Sequence, residues 1–166
     1  MSASSVSTER CNFFLSFGRI GIAALISTQG VRWLELRAPN SDAEEIPPVT
    51  ETGARLARLL EAYVAGECVD FDDIPLDLMG TPFQRAVWEG ARTIPWGATE
   101  SYAGLAARIG RPKAQRAVGR ALGANPVPIL VPCHRILAAQ GRLGGFSAGL
   151  HWKQALLRIE GHAVAL

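Results

Sequence analysis

Cys133 and His134 stand side by side in the run Pro132-Cys133-His134-Arg135-Ile136, at the end of the apolar, proline-punctuated stretch Asn125-Pro126-Val127-Pro128-Ile129-Leu130-Val131. A cysteine beside a histidine has the parts of a nucleophile and its base. The thiolate is the attacking form, and an ordinary thiol with a pKa of about 8.5 is mostly protonated at neutral pH, so it needs a proton acceptor. Adjacency in sequence does not put an imidazole on a sulfur, and the residues alone leave a nucleophile and a buried structural thiol both open. Asn125-Pro126 is a natural turn former at the start of the cysteine segment. Downstream, Leu143-Gly144-Gly145-Phe146-Ser147-Ala148-Gly149 offers glycines that let backbone N–H groups approach a planar ligand, with Phe146 able to close over it. The other two cysteines, Cys11 and Cys68, make an odd total of three at wide spacings, which suggests neither a disulfide framework nor a zinc cluster. No metal site is expected; Asp70, Asp72, Asp73 and Asp77 read as a solvated surface.

These residues need elements to hold them. Apolar runs at 13–18, 21–27 and 31–37 read as an antiparallel meander of short strands. Residues 52–65 place Ala54, Leu56, Leu59, Leu60 and Tyr63 on one helical stripe, with Gly66 past the end. Residues 69–80 read as an acidic linker. Thr81 is an N-cap with Pro82 in the first turn, and Phe83, Val87, Trp88 and Ala91 line one face of the helix that follows. Two short helices come next, over 102–109 and 113–122, joined by the turn Gly110-Arg111-Pro112: a helix-turn-helix. A last helix is expected from about Gly149 to Ile159.

Net charge is only +2, which by itself does not point to nucleic acid, but its distribution is uneven. Arg108, Arg111, Lys113, Arg116 and Arg120 come with no acidic residue between them, predicting one basic face. The second helix of the pair combines Arg116 and Arg120 with the small residues Ala114, Ala117, Gly119 and Ala121. A helix reading the major groove would carry more long hydrogen-bonding side chains. Small residues suit close approach to a backbone or a minor groove, or else ordinary tight packing against the rest of the fold.

With 166 residues, 48% of them hydrophobic, the chain can bury a core without disulfides or metal. The division expected is a flexible tail over 1–10, an N-terminal α/β part with linker over 11–80, and a C-terminal part over 81–166. The longest apolar runs are too short to cross a bilayer, and the N-terminus lacks the pattern of a secretory signal. A cytoplasmic protein is expected, nucleoid-associated if bacterial.

In their order and spacing, Tyr102, Arg116, Asn125, Pro132-Cys133-His134-Arg135 and the Glu160 of Leu156-Leu157-Arg158-Ile159-Glu160-Gly161 resemble the O6-alkylguanine-DNA alkyltransferases. The resemblance is carried by residues 94–161. It implies an α+β fold: a small N-terminal antiparallel sheet with a helix, ribonuclease-H-like, then a mostly helical, winged-helix-like part with the helix-turn-helix. It implies a DNA repair protein that flips O6-methylguanine, and O4-methylthymine, out of duplex DNA. The alkyl group then passes irreversibly to Cys133, once per molecule and without a cofactor. His134 would act as base through a water and Glu160 would orient it. Asn125 would support the turn, and Tyr102 would rotate the phosphate and donate a proton to the departing guanine. Arg116 would replace the extruded nucleotide, with Ala114, Gln115, Ala117, Gly119 and Arg120 around it in the minor groove. The pocket would be built from Leu122, the carbonyl of Ile136, Gly145, Phe146, Ser147 and Ala148, where the methyl of Ala148 would narrow it against bulky alkyl groups. The implied partner is double-stranded DNA, bound by a monomer, with cooperativity along DNA left open and no membrane partner.

Two other classes stand beside this one. A non-catalytic alkylated-DNA binding protein would lack a reactive cysteine, so Cys133 counts against it. A DNA-independent cysteine hydrolase would leave the basic helix pair without a purpose.

Overall fold

The computed structural model describes residues 11–39 and 45–163, so the tail expected over 1–10 lies outside the described residues. The architecture is α+β. Strands β1 (Phe13–Phe17), β2 (Ile20–Ser27) and β3 (Gly30–Arg37) form an antiparallel sheet in the order β1-β2-β3, joined by two-residue turns. The central strand is buried on both faces from Ile20 to Ala24, as its unbroken run of apolar and small residues demands. Both sheet edges are covered by irregular chain: Phe14 pairs with Ile46 and Val31 with Leu76. Residues 69–80 are therefore more than a solvated linker. Phe71 and Ile74 are buried, and Asp77 accepts from Ser27 Oγ at 2.6 Å and pairs with Arg32 at 2.7 Å. Asp70, Asp72 and Asp73 stay on the surface, as expected.

Helix α1 (Glu51–Val64) starts at Thr50, whose side chain accepts from the Gly53 N–H, and lays Leu56, Leu60 and Tyr63 into the core. Helix α2 (Pro82–Arg92) begins with a reciprocal capping box between Thr81 and Gln84, with Pro82 in the first turn. It buries Val87, Trp88 and Ala91, and the Trp88 indole donates to the Ala121 carbonyl at 2.8 Å. Gly90 makes the next crossing possible, because a Cβ there would lie 2.8 Å from Leu105 Cδ1.

The helix pair is α3 (Tyr102–Arg108) and α4 (Gln115–Gly123). The second helix starts two residues later than its sequence suggests. Residues 111–114 close a turn through the Ala114 N–H on the Arg111 carbonyl at 2.9 Å, so Lys113 and Ala114 belong to that turn. Arg108 leaves the expected basic face: it pairs with Glu100 at 2.7 Å and donates to the Gly90 carbonyl at 2.8 Å, tying α3 to α2. A two-residue parallel pair, β4 (Glu100–Ser101) with β5 (Ile136–Leu137), fixes the start of α3 against the chain just past Cys133. Helix α5 (Leu150–Ile159) closes the fold. One hydrophobic cluster runs from Phe13, Ile22 and Leu60 through Trp88 and Val118 to Cys133 and Leu156, so the two halves of the chain share a core.

Candidate active site

Asn125 builds the cysteine segment. Its Oδ1 accepts from the Val127 N–H at 3.0 Å, and its Nδ2 donates to the Val131 carbonyl at 2.9 Å and to Cys133 Sγ at 3.1 Å. One side chain thus closes the turn and contacts the sulfur. The Val131 N–H meets the Val127 carbonyl across the same loop at 3.0 Å, and Ile129 sits at its tip with φ of 75°, a left-handed conformation that costs a β-branched residue on the order of 1–3 kcal/mol. Pro132 then leads into a short 3-10 turn over Cys133–Arg135, which carries thiol, imidazole and guanidinium inward together.

His134 is fully buried, and its Nε2 lies 2.6 Å from Glu160 Oε1 at the end of α5. An ionised carboxylate only accepts, so Nε2 carries the hydrogen and Nδ1 is left with its lone pair. That Nδ1 is the one buried side-chain nitrogen or oxygen among the described residues with no hydrogen-bond partner. That lone pair leaves Nδ1 able to accept a proton. Glu160 is held further by Arg135, whose Nε reaches Oε2 and whose Nη2 reaches Oε1, both at 2.9 Å. Tyr63 donates to the same Oε1 at 2.8 Å.

The charges follow from these contacts. Burial pushes the Glu160 carboxyl up, but hydrogen bonds from His134 and Arg135 outweigh it and hold the carboxyl well below the ordinary range. Burial lowers the proton affinity of His134, the bond to Glu160 opposes this, and the charges of Arg135 and Lys153 reinforce it; the imidazole is neutral. Burial raises the Cys133 thiol, against the smaller opposing effects of Asn125 and the Lys153 charge. The resting state is thus a protonated thiol beside a neutral imidazole, and the thiol must lose its proton in order to react.

Cys133 opens onto a cavity of about 300 Å³ lined by Tyr102, Gly119, Leu122, Gly123, Gly145, Phe146 and Ser147. Four expected pocket residues, Leu122, Gly145, Phe146 and Ser147, are therefore in place. Ile136 and Ala148 lie outside the lining. The Ile136 carbonyl accepts from Lys153 Nζ at 2.6 Å, and Ala148 is partly buried and packs against the hydrophobic core. Tyr102 reaches the Gly145 carbonyl at 3.4 Å, and burial raises its pKa so that the phenol keeps its proton. Gly144, with φ of 67°, passes so close that a Cβ there would sit 3.0 Å from the Tyr102 hydroxyl. On α4, Gln115, Arg116 and Arg120 are exposed and Ala117 and Gly119 are half-buried; the turn before it exposes Arg111 and Lys113 and half-buries Ala114. Val118, Ala121 and Leu122 of α4 face the core, so packing accounts for Ala121, whereas Ala117 and Gly119 are only half-buried. Gly119 links the two features, lying on α4 and in the cavity wall.

Three site residues were not read from the sequence. Arg135 and Tyr63 meet at Glu160. Lys153, fully buried on α5, donates to the Ile136 and Gly145 carbonyls at 2.6 and 3.3 Å and so joins two sides of the site. Burial brings its pKa down to about 8, against the opposing effect of Cys133. A lysine on the apolar face of a helix beside Trp152, Leu156 and Leu157 was the available signal for it. For Tyr63, on an otherwise apolar stripe, the sequence held none.

Residues 82–162 match the family model described as 6-O-methylguanine DNA methyltransferase, DNA binding domain. The chain is 52% identical over 101 residues to a methylated-DNA–protein-cysteine methyltransferase of Mycobacterium tuberculosis, a match covering 61% of each chain. It is 41% identical over 136 residues to the protein of that name from Shigella flexneri, covering 82% of this chain and 78% of that one. Its fold is similar to the crystal structure of Mycobacterium tuberculosis OGT in complex with DNA, with a TM-score of 0.76, 38% identity, and 90% of this chain and 92% of that one covered.

Proposed function

The chain belongs to the 6-O-methylguanine DNA methyltransferase family, and from that premise we propose that it repairs DNA by moving an alkyl group from the O6 of guanine onto Cys133. The observation that carries this is a single cavity walled by both the Cys133 thiol and Gly119 of the exposed, arginine-bearing helix α4. A nucleophile and a DNA-facing helix then meet at one opening, at the small end of the roughly 300–1,000 Å³ range of ligand pockets and suited to one extruded base.

His134 Nδ1 takes the thiol proton, directly or through a water, while Glu160 holds the Nε2 hydrogen and the ring's orientation. The thiolate attacks the alkyl carbon in line; the S–C bond forms as the C–O bond breaks, leaving S-alkylcysteine and guanine. The electron pair of the broken bond stays on guanine, which is protonated at N3 by the Tyr102 hydroxyl, and the thiol proton on His134 returns to solvent or to Tyr102. A thioether is inert to water, so each molecule acts once.

On the DNA side, the protein binds as a monomer with α4 in the minor groove, where Ala114 of the turn before it and the small residues Ala117 and Gly119 permit the close approach. Arg116 fills the space of the flipped nucleotide, stacking on its neighbours, while Arg111, Lys113 and Arg120 lie toward phosphates. The same rules allow O4-methylthymine as a second substrate. No helix among the described residues is long and apolar enough to cross a membrane, and we assign the work to the cytoplasm.

Mass spectrometry of the intact protein and its peptides, after incubation with duplex DNA carrying O6-methylguanine, tests the proposal. One added methyl mapped to Cys133, and absent from Cys133→Ala, is the expected result. Binding without a mass change would instead make this a lesion-binding protein.

A further inference from the structure

Glu160 Oε1 receives three donors: His134 Nε2 at 2.6 Å, Tyr63 Oη at 2.8 Å and Arg135 Nη2 at 2.9 Å. Two come from the cysteine segment. The third comes from the last turn of α1, far away in sequence and in the half of the chain that precedes both helix α4 and the Cys133 segment. The Tyr63 hydroxyl also lies 3.3 Å from His134 Nε2, so it sits beside the hydrogen bond between base and carboxylate.

We propose that Tyr63 is a positioning residue for alkyl transfer, through which the N-terminal half completes the His134–Glu160 relay. The inference rests on the function proposed above and assigns that half a part in the chemistry. The tyrosine ring is fully buried, edge-on to Trp96 at 5.2 Å between centroids and tilted against Phe71 at 5.9 Å. A phenylalanine would satisfy both ring contacts. The hydroxyl adds nothing to them, and burying it without a partner is unfavourable, so its place here is explained by its bond to Glu160.

Two consequences follow for the base. A carboxylate oxygen shared among three donors is fixed in direction, and with it the imidazole plane that aims Nδ1. The same sharing weakens the pull of Oε1 on the imidazole, so the ring gains less by taking a second proton and remains an acceptor at lower pH. The charged and titratable groups around His134 are Glu160 and Lys153 from α5 and its end, Cys133 and Arg135 from the cysteine segment, and Tyr63 from α1. Arg135 and Lys153 keep the imidazole neutral by charge, and Tyr63 acts in the same direction by occupying Oε1. Burial and the neighbouring Glu160 raise the pKa of Tyr63 well above that of a free phenol, so it remains a donor across the working range.

The test is Tyr63→Phe in the full chain, read in two assays. The first is the pH–rate profile for alkylation of Cys133 by iodoacetamide without DNA; the second is methyl transfer from an O6-methylguanine duplex, with duplex affinity and thermal midpoint measured alongside. Loss of the hydroxyl should move the acid limb of both profiles upward by about half a pH unit, a loss of roughly threefold in rate on that limb, with duplex affinity unchanged. A uniform loss at every pH that tracks a lower thermal midpoint would reduce Tyr63 to packing and overturn the inference, as would a profile identical to wild type. If the wild-type protein transfers no methyl group, the proposed repair activity fails separately, and the iodoacetamide limb still decides the role of Tyr63.

Discussion

Replacing Asn125 with alanine removes three hydrogen bonds at once, and the contacts set the size of the effect. The Val127 N–H and the Val131 carbonyl each lose their Asn125 partner in a segment where Val127 and Val131 are both fully buried. Leaving a buried backbone group unpaired costs about 1–3 kcal/mol, so the two together predict a loss of roughly 2–6 kcal/mol. For a chain of this size that is a drop in thermal midpoint of about 8–16 °C for the middle of the range. The third bond acts on chemistry. Asn125 Nδ2 lies 3.1 Å from Cys133 Sγ and favours the thiolate, so its loss raises the thiol further. Asn125→Asp separates the two effects. The aspartate keeps an acceptor for Val127 but places a negative oxygen where the amide donated to the sulfur, so it raises the thiol more than alanine does. Urea unfolding followed by tryptophan fluorescence, with iodoacetamide titration of Cys133, measures both. A stability change in Asn125→Ala below about 1 kcal/mol, or a thiol titration unmoved in both variants, would refute the assignment of turn and sulfur contact to this residue.

Glu160→Gln leaves Arg135 buried without its counter-charge and should cost about 3–5 kcal/mol in urea unfolding. Arg116→Ala, at an exposed position, should leave the thermal midpoint unchanged; it should slow methyl transfer from duplex DNA about tenfold, the equivalent of ~1–2 kcal/mol of stacking, while leaving reaction with free O6-methylguanine base unaffected. Because the folded-state pKa values of His134 and Glu160 both lie below their unfolded values, the unfolded chain binds more protons on the acid side. Stability should therefore be full above about pH 6.5, fall as the pH drops through the His134 window, and fall more steeply below about pH 4.3 as Glu160 follows; thermal midpoints across that range check it. Ala148→Gly should alter the rate with benzylated guanine by less than about twofold, since its methyl packs on the core and not in the cavity.

The elements of this fold were legible wherever local chemistry sets them. Thr81 and Pro82 announce α2, and the apolar runs announce the three strands, because caps and periodicity are properties of neighbouring residues. The start of α4 was misplaced because Pro112 is compatible with a helix's first turn, and only the folded turn over 111–114 decides that Lys113 and Ala114 lie outside. Arg108 looked like part of a basic face until the fold brought Glu100 to it. The site divides the same way. Cys133, His134 and Asn125 lie within nine residues of one another, and their contacts follow the local path of the chain. Tyr63 and Lys153 are 71 and 17 residues from the groups they meet, and a tyrosine or lysine on an apolar stripe does not say what it faces.

The arrangement differs from a serine-hydrolase relay in where the carboxylate's charge goes. In that relay the acid stabilises an imidazolium and makes the histidine a strong base. Here Arg135 takes Glu160 through two bonds, so the pair is close to neutral and gives the imidazole orientation more than charge. A moderate base beside a thiol raised by burial keeps Cys133 protonated when the cavity is empty. For the single transfer proposed above, this has a chemical use: a permanently ionised thiol would be open to oxidants and stray electrophiles. The Lys153 ammonium and the Asn125 amide favour the thiolate without producing it at rest. The neutral resting state follows from the same burial that holds the relay together.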